Sequence, residues 1–460
     1  RNKGMDVDPE RKRKFWAYSI LGLMIITSLW YYHLNPLYMY LVAYLWFGFT
    51  YGILMQYGRF CFASAWRDLI AIGVTRMFIG ILIALATFSL VLAVLATKQM
   101  STFHPGPLGP NELIGGLLFG IGMTLAGGCA SGTLYKTGEG NGTSWLALFG
   151  IVFSQAIFVD YGGFFDTFLT GYAFKEPLIT LSQYFPNLGP FKYVVGNSII
   201  NVIIPVIILI VLAYYIVARK GIMRRLMESK TASADGGVPK PTIGDDMKGI
   251  WLMITASKRT AIAGILLGIV SGIHVFTIQS LRYRDGINNF GQILWHLGFV
   301  NQVSSLHTVF DPGYWYITTQ EAQFGAWVME HLGINMRNNI FYGTMNGIPA
   351  PWHNPPLLMS IGIILGAATI ALMNNEFKLK MPNRELAVWG LLGGIFMGIG
   401  ARLAFGCNIG AFYIRVAGGD PGGWLFFAGM GAGALGGVKM FNWWTNRKLA
   451  SDLADFDIDL

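Results

Sequence analysis

Long apolar segments are the feature of this sequence that most constrains its fold. A helix needs about 20 mostly apolar residues to cross the hydrocarbon core of a bilayer. Five segments come near this length with few or no charged residues: 15–32, 37–57, 73–97, 193–218 and 260–280. Only 12% of the residues are charged, whereas soluble domains carry about a quarter. The sequence therefore predicts an all-α, polytopic integral membrane protein with about nine to eleven helices that span a lipid bilayer.

The charged residues have an uneven distribution that predicts an orientation. The net charge of +9 arises largely from three basic clusters that flank apolar segments: 11–14, 219–230 and 378–384. Basic loops are retained on the cytoplasmic side of a membrane, so we expect all three clusters there. The basic residues do not alternate with aromatic residues, which argues against nucleic-acid binding. Three cysteines argue against a disulfide framework, and since no metal-ligand spacing occurs, we expect neither a metal nor a cofactor.

The chain divides into two apolar halves joined by a basic linker. We predict these segments: a cytoplasmic N-terminal segment 1–14, a first half 15–218, a cytoplasmic linker 219–259, a second half 260–445 and an acidic tail 446–460. Residues 282–354 interrupt the second half with polar and aromatic sequence that is too mixed to span a membrane. We expect a surface loop or an insert of short helices there, and docking of other membrane subunits is one interpretation of it.

The two halves share a motif. Residues 116–135 (GLLFGIGMTLAGGCASGTLY) align with residues 393–413 (GGIFMGIGARLAFGCNIGAFY). Each copy is a short apolar segment that ends at a glycine and a cysteine, followed by a Gly-rich polar turn. Short, Gly-interrupted segments at matching positions indicate an internal duplication and point to a transport site. We therefore expect an interrupted segment that is too short to span the membrane in each half. Residues 51–62 are more weakly similar to residues 271–282. The second copy has no cysteine, so Cys61 has no evident counterpart in the second half.

The interrupted segments place cysteines where an anion could bind. Inside a membrane, non-helical backbone occurs only within protein or against a polar cavity. Helices that begin near Gly132 and Gly410 would direct their positive ends toward such a site. The thiols of Cys129 and Cys407, with Cys61 in a third interrupted segment, could donate S–H hydrogen bonds or ionise. The alternative is that each cysteine is a small apolar core residue.

Other residues near the cysteines have two interpretations each. Arg59 and Arg402 would complement an anion, because an arginine in an apolar segment usually faces the bundle interior. They could instead form structural ion pairs, and the sequence offers these acidic candidates: Glu139, Asp68 and Asp420. Four further residues could contribute backbone N–H groups or polar side chains to an anion site, or only satisfy the interrupted backbone: Gly128, Ser131, Gly406 and Asn408. Three residues in the following turns could line a vestibule or cap helices: Lys136, Arg415 and Asp420.

Four segments resemble motifs of the YeeE/YedE-type sulfur-transport family: 57–69, 120–141, 362–382 and 391–424. The resemblance covers most of the chain and weakens within 219–259 and 282–354. It implies an inner-membrane protein of bacteria or archaea with two inverted halves. It also implies an hourglass shape, with re-entrant half-helices that meet at the centre.

The same resemblance implies roles for the cysteines. Cys61, Cys129 and Cys407 match the three cysteines of the family's central path, where a thiosulfate ion passes from thiol to thiol through S–H···S contacts without a covalent bond. A TusA-like sulfurtransferase is the partner that the resemblance implies.

We therefore expect a transporter or channel for thiosulfate or a related small sulfur-containing anion, and not an enzyme. No GxxxxGK[ST] sequence indicates ATP hydrolysis. Three alternative functions are also compatible with the sequence. They are transport of a selenium compound, a membrane sulfur relay that forms persulfides, and a structural subunit of a larger complex.

Overall fold

The computed structural model describes these residues: 9–101, 103–106, 108–161, 178–231, 242–287, 313–336 and 350–458. Within these ranges the protein is α-helical, and its only β-type pairing is an isolated bridge between Asn141 and Lys380. Ten of the described helices are long and apolar enough to cross a membrane. The prediction of an all-α, polytopic membrane protein is confirmed.

The described residues before the linker form eight α- or π-helices, the last of which runs into the linker. They are α1 (Pro9–Leu34), α2 (Met39–Gly58), α3 (Phe62–Ile72), α4 (Arg76–Thr97), α5 (Pro110–Leu125), α6 (Ala130–Gly138), α7 (Gly142–Tyr161) and α8, which continues into the linker through Tyr193–Ile203, Ile204–Ala213, Tyr214–Ala218 and Arg219–Thr231. Two of the segments of α8, Tyr193–Ile203 and Tyr214–Ala218, are π-helical.

Seven further α- or π-helices follow within the described residues. They are α9 (Ile243–Thr255), α10 (Lys258–Asp285), α11 (Thr318–His331), α12 (Pro355–Met373), α13 (Arg384–Leu403), α14 (π-helical Asn408–Ile414, continued by Arg415–Ala417) and α15 (Gly422–Ile458). Local sequence explains several helix ends. The Asn383 side chain caps α13 by accepting the Leu386 N–H at 2.8 Å. Gly286, in the left-handed conformation, ends α10.

Glycines allow the helices of the two halves to pack at very short distances. A Cβ atom on Gly115 of α5 would lie 2.7 Å from the Gly400 carbonyl oxygen of α13, and one on Gly122 would lie 2.5 Å from that of Gly393. Small residues are what permits such approach between helices in a membrane. Since 115 meets 400 and 122 meets 393, α5 and α13 run antiparallel. Four further helix pairs each join one helix of the first half to one of the second. They are α5 with α15, α7 with α13, α2 with α12 and α4 with α10.

The centre of segment 282–354 is not a surface loop. Its residues 313–336 include α11, which packs against α7 and α12. The residues that lead into and begin α11 are buried: Tyr314, Trp315, Ile317, Thr318, Thr319, Gln320 and Glu321. The described residues 313–336 fit the expected insert of short helices and not the alternative of a surface loop, because this part of the segment contacts the bundle. Residues 288–312 and 337–349 lie outside the described part of the chain.

The three basic clusters lie at one end of the bundle. The Tyr31 hydroxyl donates to the Trp352 carbonyl at 2.5 Å, so the end of α1 lies beside the start of α12. The N-terminal end of α1 therefore lies with the C-terminal end of α12, next to 378–384. Val217 of α8 packs near Gly73, and Arg259 donates to the Tyr57 carbonyl, which brings both ends of the linker to the same side. Residues 1–8 and 232–241, within the predicted N-terminal segment and linker, and 459–460 of the predicted tail lie outside the described residues.

Candidate functional site

Each of the three cysteines caps the N-terminus of a short helix. Cys61 precedes α3, Cys129 precedes α6 and Cys407 precedes α14. All three side chains are at most 1% exposed, and none forms a disulfide. The helices begin directly after the cysteines, two residues earlier than the expected starts near Gly132 and Gly410. The thiols are therefore at the positive ends of the helix dipoles, where a negative charge is stabilised.

The same backbone turn leads into each cysteine. The residue two positions before it has a positive φ, namely 54° at Arg59, 68° at Gly127 and 54° at Phe405. A left-handed residue is a common way to end a helix, and it costs a non-glycine residue about 1–2 kcal/mol. The chain thereby leaves one helix and begins the next within a few residues.

The two glycines that directly precede cysteines differ in how much space they have. A Cβ atom on Gly406 would lie 2.7 Å from the Ala411 nitrogen, so this position requires glycine. A Cβ atom on Gly128 would meet its nearest atoms, those of Gly132 and Thr133, at an ordinary 3.5 Å. Only Gly406 is therefore required by close packing.

Cys61 and Cys129 are in direct contact. Their sulfur atoms are 3.8 Å apart, within range of an S–H···S hydrogen bond. The Cys129 sulfur accepts the Gly132 N–H at 3.3 Å and lies 3.5 Å from the Ser131 hydroxyl. A Cβ atom on Gly132 would lie 2.7 Å from the Cys61 sulfur and 3.2 Å from the Cys129 sulfur. Gly132 therefore leaves the space in which the two thiols meet.

Cys407 lies on a separate helix and does not bond to the other two thiols. Its sulfur accepts the Ile409 N–H at 3.4 Å. The helices of Cys61 and Cys407 are nevertheless neighbours, since Phe62 packs edge-on against Phe412 with 6.1 Å between ring centroids. The three cysteines thus belong to one buried cluster, with an aromatic pair between Cys61 and the helix of Cys407.

A fourth helix begins in the same region. Arg402, 8% exposed, donates hydrogen bonds to the Thr318 hydroxyl at 3.1 Å and the Thr319 hydroxyl at 3.5 Å, in the first turn of α11. The Tyr316 ring, two residues before α11, would lie 3.4 Å from a Cβ atom on Gly410. The N-termini of α3, α6, α14 and α11 therefore converge around the cysteines, and each carries about half a positive charge.

Arg59 lies in a different environment from Arg402. Its side chain is 54% exposed and pairs with Glu376 at 3.0 Å. Glu376 was not among the acidic partners expected from the sequence. Of those candidates, Asp68 pairs with Arg67. Arg59 therefore lies at the end of the bundle that holds the basic clusters, and its guanidinium does not lie among the buried thiols.

Arg415 and Asp420 belong to a buried ion cluster that holds the fold together, and this favours a stabilising role over a place in the lining of a vestibule. Arg415 is buried and forms ion pairs with Glu112 of α5 and with Asp420, the latter at 2.7 Å. Asp420 also accepts the Gly106 N–H at 2.9 Å and the Gly422 N–H at 2.8 Å. This cluster fixes the turn after α14 to the start of α5.

Two cavities lie at opposite ends of the bundle. One, of about 390 Å³, is bounded by the turn before Cys129 at Gly127 and also by Arg67 and Lys136. Lys136 both lines this cavity and caps the turn, because its ammonium donates to the Gly127 carbonyl at 2.5 Å. The other, of about 460 Å³, includes Gly418 after α14 and Lys192. Each interrupted half-helix is thus close to a cavity that has a basic side chain.

Three buried polar side chains in this region have no hydrogen-bond partner within the described part of the chain. They are Asn408, Gln320 and Glu321, at most 2% exposed. Buried polar groups are nearly always hydrogen-bonded, so such groups point to a ligand or water. The sequence identified Asn408 from its place after Cys407. It missed Gln320 and Glu321, whose only sequence signal is a polar pair within a stretch of small and aromatic residues.

These features define a multi-pass α-helical membrane protein whose interior contains interrupted helices and three free thiols. The chain belongs to the Sulphur transport family, whose model matches residues 57–436. It is 29% identical over 377 residues to the thiosulfate transporter TsuA of Spirochaeta thermophila, covering 80% of this chain and 89% of that protein. It is 27% identical to TsuA of Escherichia coli, covering 81% and 87% of the two chains. The probable transporter YedE of Escherichia coli is 36% identical over 148 residues, covering 31% of this chain and 35% of that protein.

Proposed function

We propose that this protein is a transporter or channel for thiosulfate or a related small sulfur-containing anion. The observation that carries the proposal is the contact between the Cys61 and Cys129 thiols, at the N-termini of two half-helices in the protein interior. Soft sulfur donors and backbone N–H groups together match an anion with both a terminal sulfur and oxygens. Family membership and the two TsuA relatives support the same substrate class.

In this mechanism the anion moves between weak sites. Its sulfur contacts the Cys61 and Cys129 thiols through S–H···S hydrogen bonds and then reaches Cys407 past the Phe62–Phe412 pair. No covalent bond forms or breaks. Weak contacts suit passage, because each site must bind the anion enough to admit it and must still release it.

The oxygens of the anion need other partners along the path. We propose that the backbone at Gly128 and Gly406 and the side chains of Ser131, Asn408 and Arg402 supply them. The Asn408 amide suits this role because it is buried without a partner in the described structure. A buried donor gains more from an anion than an exposed donor, since water does not compete for it.

Arg59 acts at the surface in this proposal. It lies at the end where the basic clusters lie, which the positive-inside rule places in the cytoplasm. We propose that Arg59 and these clusters raise the local anion concentration, in the inner membrane of a bacterium or archaeon. A TusA-like sulfurtransferase would receive sulfur at this end.

A sulfur relay is the second candidate, and the same thiol contact favours it. In a relay, one thiolate would attack the sulfane sulfur of thiosulfate, breaking its S–S bond, forming a persulfide and releasing sulfite. The second thiolate, 3.8 Å away, would then take the sulfane sulfur and leave the first cysteine as a thiolate. The two functions differ in a direct way, because a relay leaves sulfur covalently bound to Cys61 or Cys129. Mass spectrometry of the protein during turnover distinguishes them: unmodified cysteines support transport without bond formation.

Uptake of radiolabelled thiosulfate into proteoliposomes tests the proposal. The wild-type protein should transport thiosulfate, while Cys61→Ser, Cys129→Ser and Cys407→Ser should each lower the initial rate several-fold. A matched control is Thr369→Val, which removes a buried hydroxyl whose bond is to Leu365 within α12. Equal uptake by the wild type and all three cysteine variants would overturn the thiol path. Competition by selenite or a selenosulfate tests transport of selenium compounds.

A further inference from the structure

A cavity of about 310 Å³ lies between α6, α7, α11 and α12, and the proposed anion path does not use it. Among the described residues that line it, Glu321 of α11 and Ser360 of α12 are polar. The others are hydrophobic, and four of them are aromatic: Trp145, Phe149, Phe153 and Phe324. Small-molecule sites have this character, with mostly apolar walls, a few polar groups and a volume of roughly 300–1,000 Å³.

Direct contacts between helices hold the walls of this cavity in place. The Asn354 side-chain amide, at the start of α12, donates to the Gln323 side-chain oxygen of α11 at 2.7 Å. α11 also packs closely on α7, because a Cβ atom on Gly325 would lie 2.7 Å from the Val152 carbonyl oxygen. The cavity is therefore framed by helices that contact one another directly.

The cavity lies at the depth of the membrane and has lipid-facing residues in its lining. The lining residues from α7 and α12 belong to the candidate spans 142–159 and 355–373. Trp145 and Phe149 of α7 are both more than half exposed. Exposed apolar side chains on a spanning helix face the hydrocarbon of the bilayer. A molecule dissolved in the bilayer can therefore reach the cavity without passing through water.

Glu321 supplies the first polar group of the cavity. Its side chain is 2% exposed, and neither carboxyl oxygen has a hydrogen-bond partner within the described part of the chain. Burial beside apolar walls favours the neutral carboxyl, because an ionised carboxylate without hydrogen bonds is costly there. A neutral carboxyl has an O–H group that can donate a hydrogen bond. Glu321 thus offers a buried donor to an occupant of the cavity.

Ser360 supplies the second polar group. A hydroxyl within a helix commonly bonds to the carbonyl four residues earlier, as Thr369 of the same helix does to Leu365 at 2.8 Å. The Ser360 hydroxyl is buried and has no hydrogen-bond partner among the described residues. Buried polar groups are nearly always satisfied, so two orphaned groups on one cavity indicate a ligand that accepts hydrogen bonds.

We propose that this cavity binds the ring of a lipid-soluble quinone, whose carbonyl oxygen accepts hydrogen bonds from the Glu321 carboxyl and the Ser360 hydroxyl. The aromatic lining suits a planar ring: the Phe149 and Phe153 rings lie 4.6 Å apart between centroids and offer surfaces for packing. The alkyl tail of the quinone extends past Trp145 into the bilayer. This binding site is independent of the proposed anion path.

The polarity of the cavity distinguishes a quinone from the other molecules of a bilayer. A phospholipid head group or an ionised fatty acid would bring a charge among apolar walls, which is costly without a compensating partner. A bare acyl chain would leave the Glu321 and Ser360 donors unsatisfied. A quinone is neutral, has a planar ring and carries carbonyl acceptors, so it satisfies both requirements.

Photoaffinity labelling of the full chain in lipid nanodiscs tests the proposal. The probe is an azido-1,4-benzoquinone with a decyl tail and a fully substituted ring, which does not add to thiols. Peptide mapping should locate the label within 145–153, 321–324 or 357–364, and excess decylubiquinone should reduce this labelling several-fold. Equal amounts of oleate or decanol should not reduce it.

Three variants test the hydrogen bonds. Glu321→Leu and Ser360→Ala each remove a donor and should lower the labelling several-fold, whereas Glu321→Gln keeps an N–H donor and should retain it. The matched control is Ser280→Ala, which removes an exposed hydroxyl that bonds to the Phe276 carbonyl within α10. It should label like the wild type.

Several outcomes would overturn the proposal. One is label spread evenly over the lipid-facing helices, which indicates only partition into the bilayer. Another is equal competition by oleate, which would assign the cavity to an acyl chain. Labelling of Ser360→Ala and Glu321→Leu at the wild-type level would also contradict the proposed hydrogen bonds. If Glu321→Leu cannot be purified, Ser360→Ala decides this point alone.

Discussion

The sulfur of Cys61 lies 3.8 Å from the sulfur of Cys129, although 68 positions separate the two residues in the chain. Each cysteine caps a half-helix, so the contact joins two positive helix ends. The contact depends on a turn before each cysteine and on a glycine between the sulfurs. Substitutions in the turn and at the glycine therefore test whether the thiol contact is needed for transport.

Gly132→Ala tests the space between the two thiols. The added methyl would lie 2.7 Å from the Cys61 sulfur, so one of the groups must move. Overpacking of this kind costs about 1–3 kcal/mol, and we expect the initial rate of thiosulfate uptake to fall about tenfold. The control is Gly436→Ala on α15, where an added Cβ atom meets nothing within 4 Å. A Gly132→Ala variant with the uptake rate of the control would show that the thiol contact is not part of the path.

Gly127→Ala and Gly128→Ala test the turn before Cys129. Gly127 has a φ of 68° and open space around it, so alanine adds only backbone strain of about 1–2 kcal/mol. Gly128 has no positive φ and makes ordinary contacts. Thermal unfolding in detergent should show a lower midpoint for Gly127→Ala than for Gly128→Ala. Equal midpoints would contradict the assignment of the left-handed turn.

Glu112→Gln tests the buried ion cluster that fixes the turn after α14. Removing one partner of a buried ion pair costs about 3–5 kcal/mol, because the remaining charge loses compensation. We expect a clearly lower unfolding temperature, since Arg415 keeps only Asp420. Asp68→Asn, which breaks the more exposed pair with Arg67, is the control and should change stability little. Similar effects of the two changes would argue against a structural role for the cluster.

A comparison of Arg402→Gln with Arg59→Gln tests whether a buried arginine contributes more to anion binding than an exposed one. Arg402 is 8% exposed beside the start of α11, whereas the Arg59 side chain is 54% exposed. A buried charge interacts more strongly with an anion, so Arg402→Gln should raise the KM for thiosulfate much more than Arg59→Gln does. Added salt should reduce the effect of the Arg59 change but not that of the Arg402 change. The reverse order of KM values would contradict the proposed path.

The sequence by itself determined the class of fold and the places where helices are interrupted. Apolar length predicts membrane spans because the hydrocarbon core sets a minimum length. The repeated Gly-Cys motif predicts matching interruptions at Cys129 and Cys407, and both occur. These features are local, so they can be read from consecutive residues. The boundaries of the two halves and the functional roles of the site residues stay predictions.

Only the tertiary structure decided which distant residues meet. It brought Cys61 to Cys129, left Arg59 at the surface and buried Arg402 beside α11. It also buried Glu321, which lies in the segment for which the sequence left a surface loop and an insert of short helices open. The physical reason is that polar and aromatic composition predicts exposure only when water is the neighbour. In this protein the neighbours are other helices, and close glycine packing between them determines which side chains lie inside.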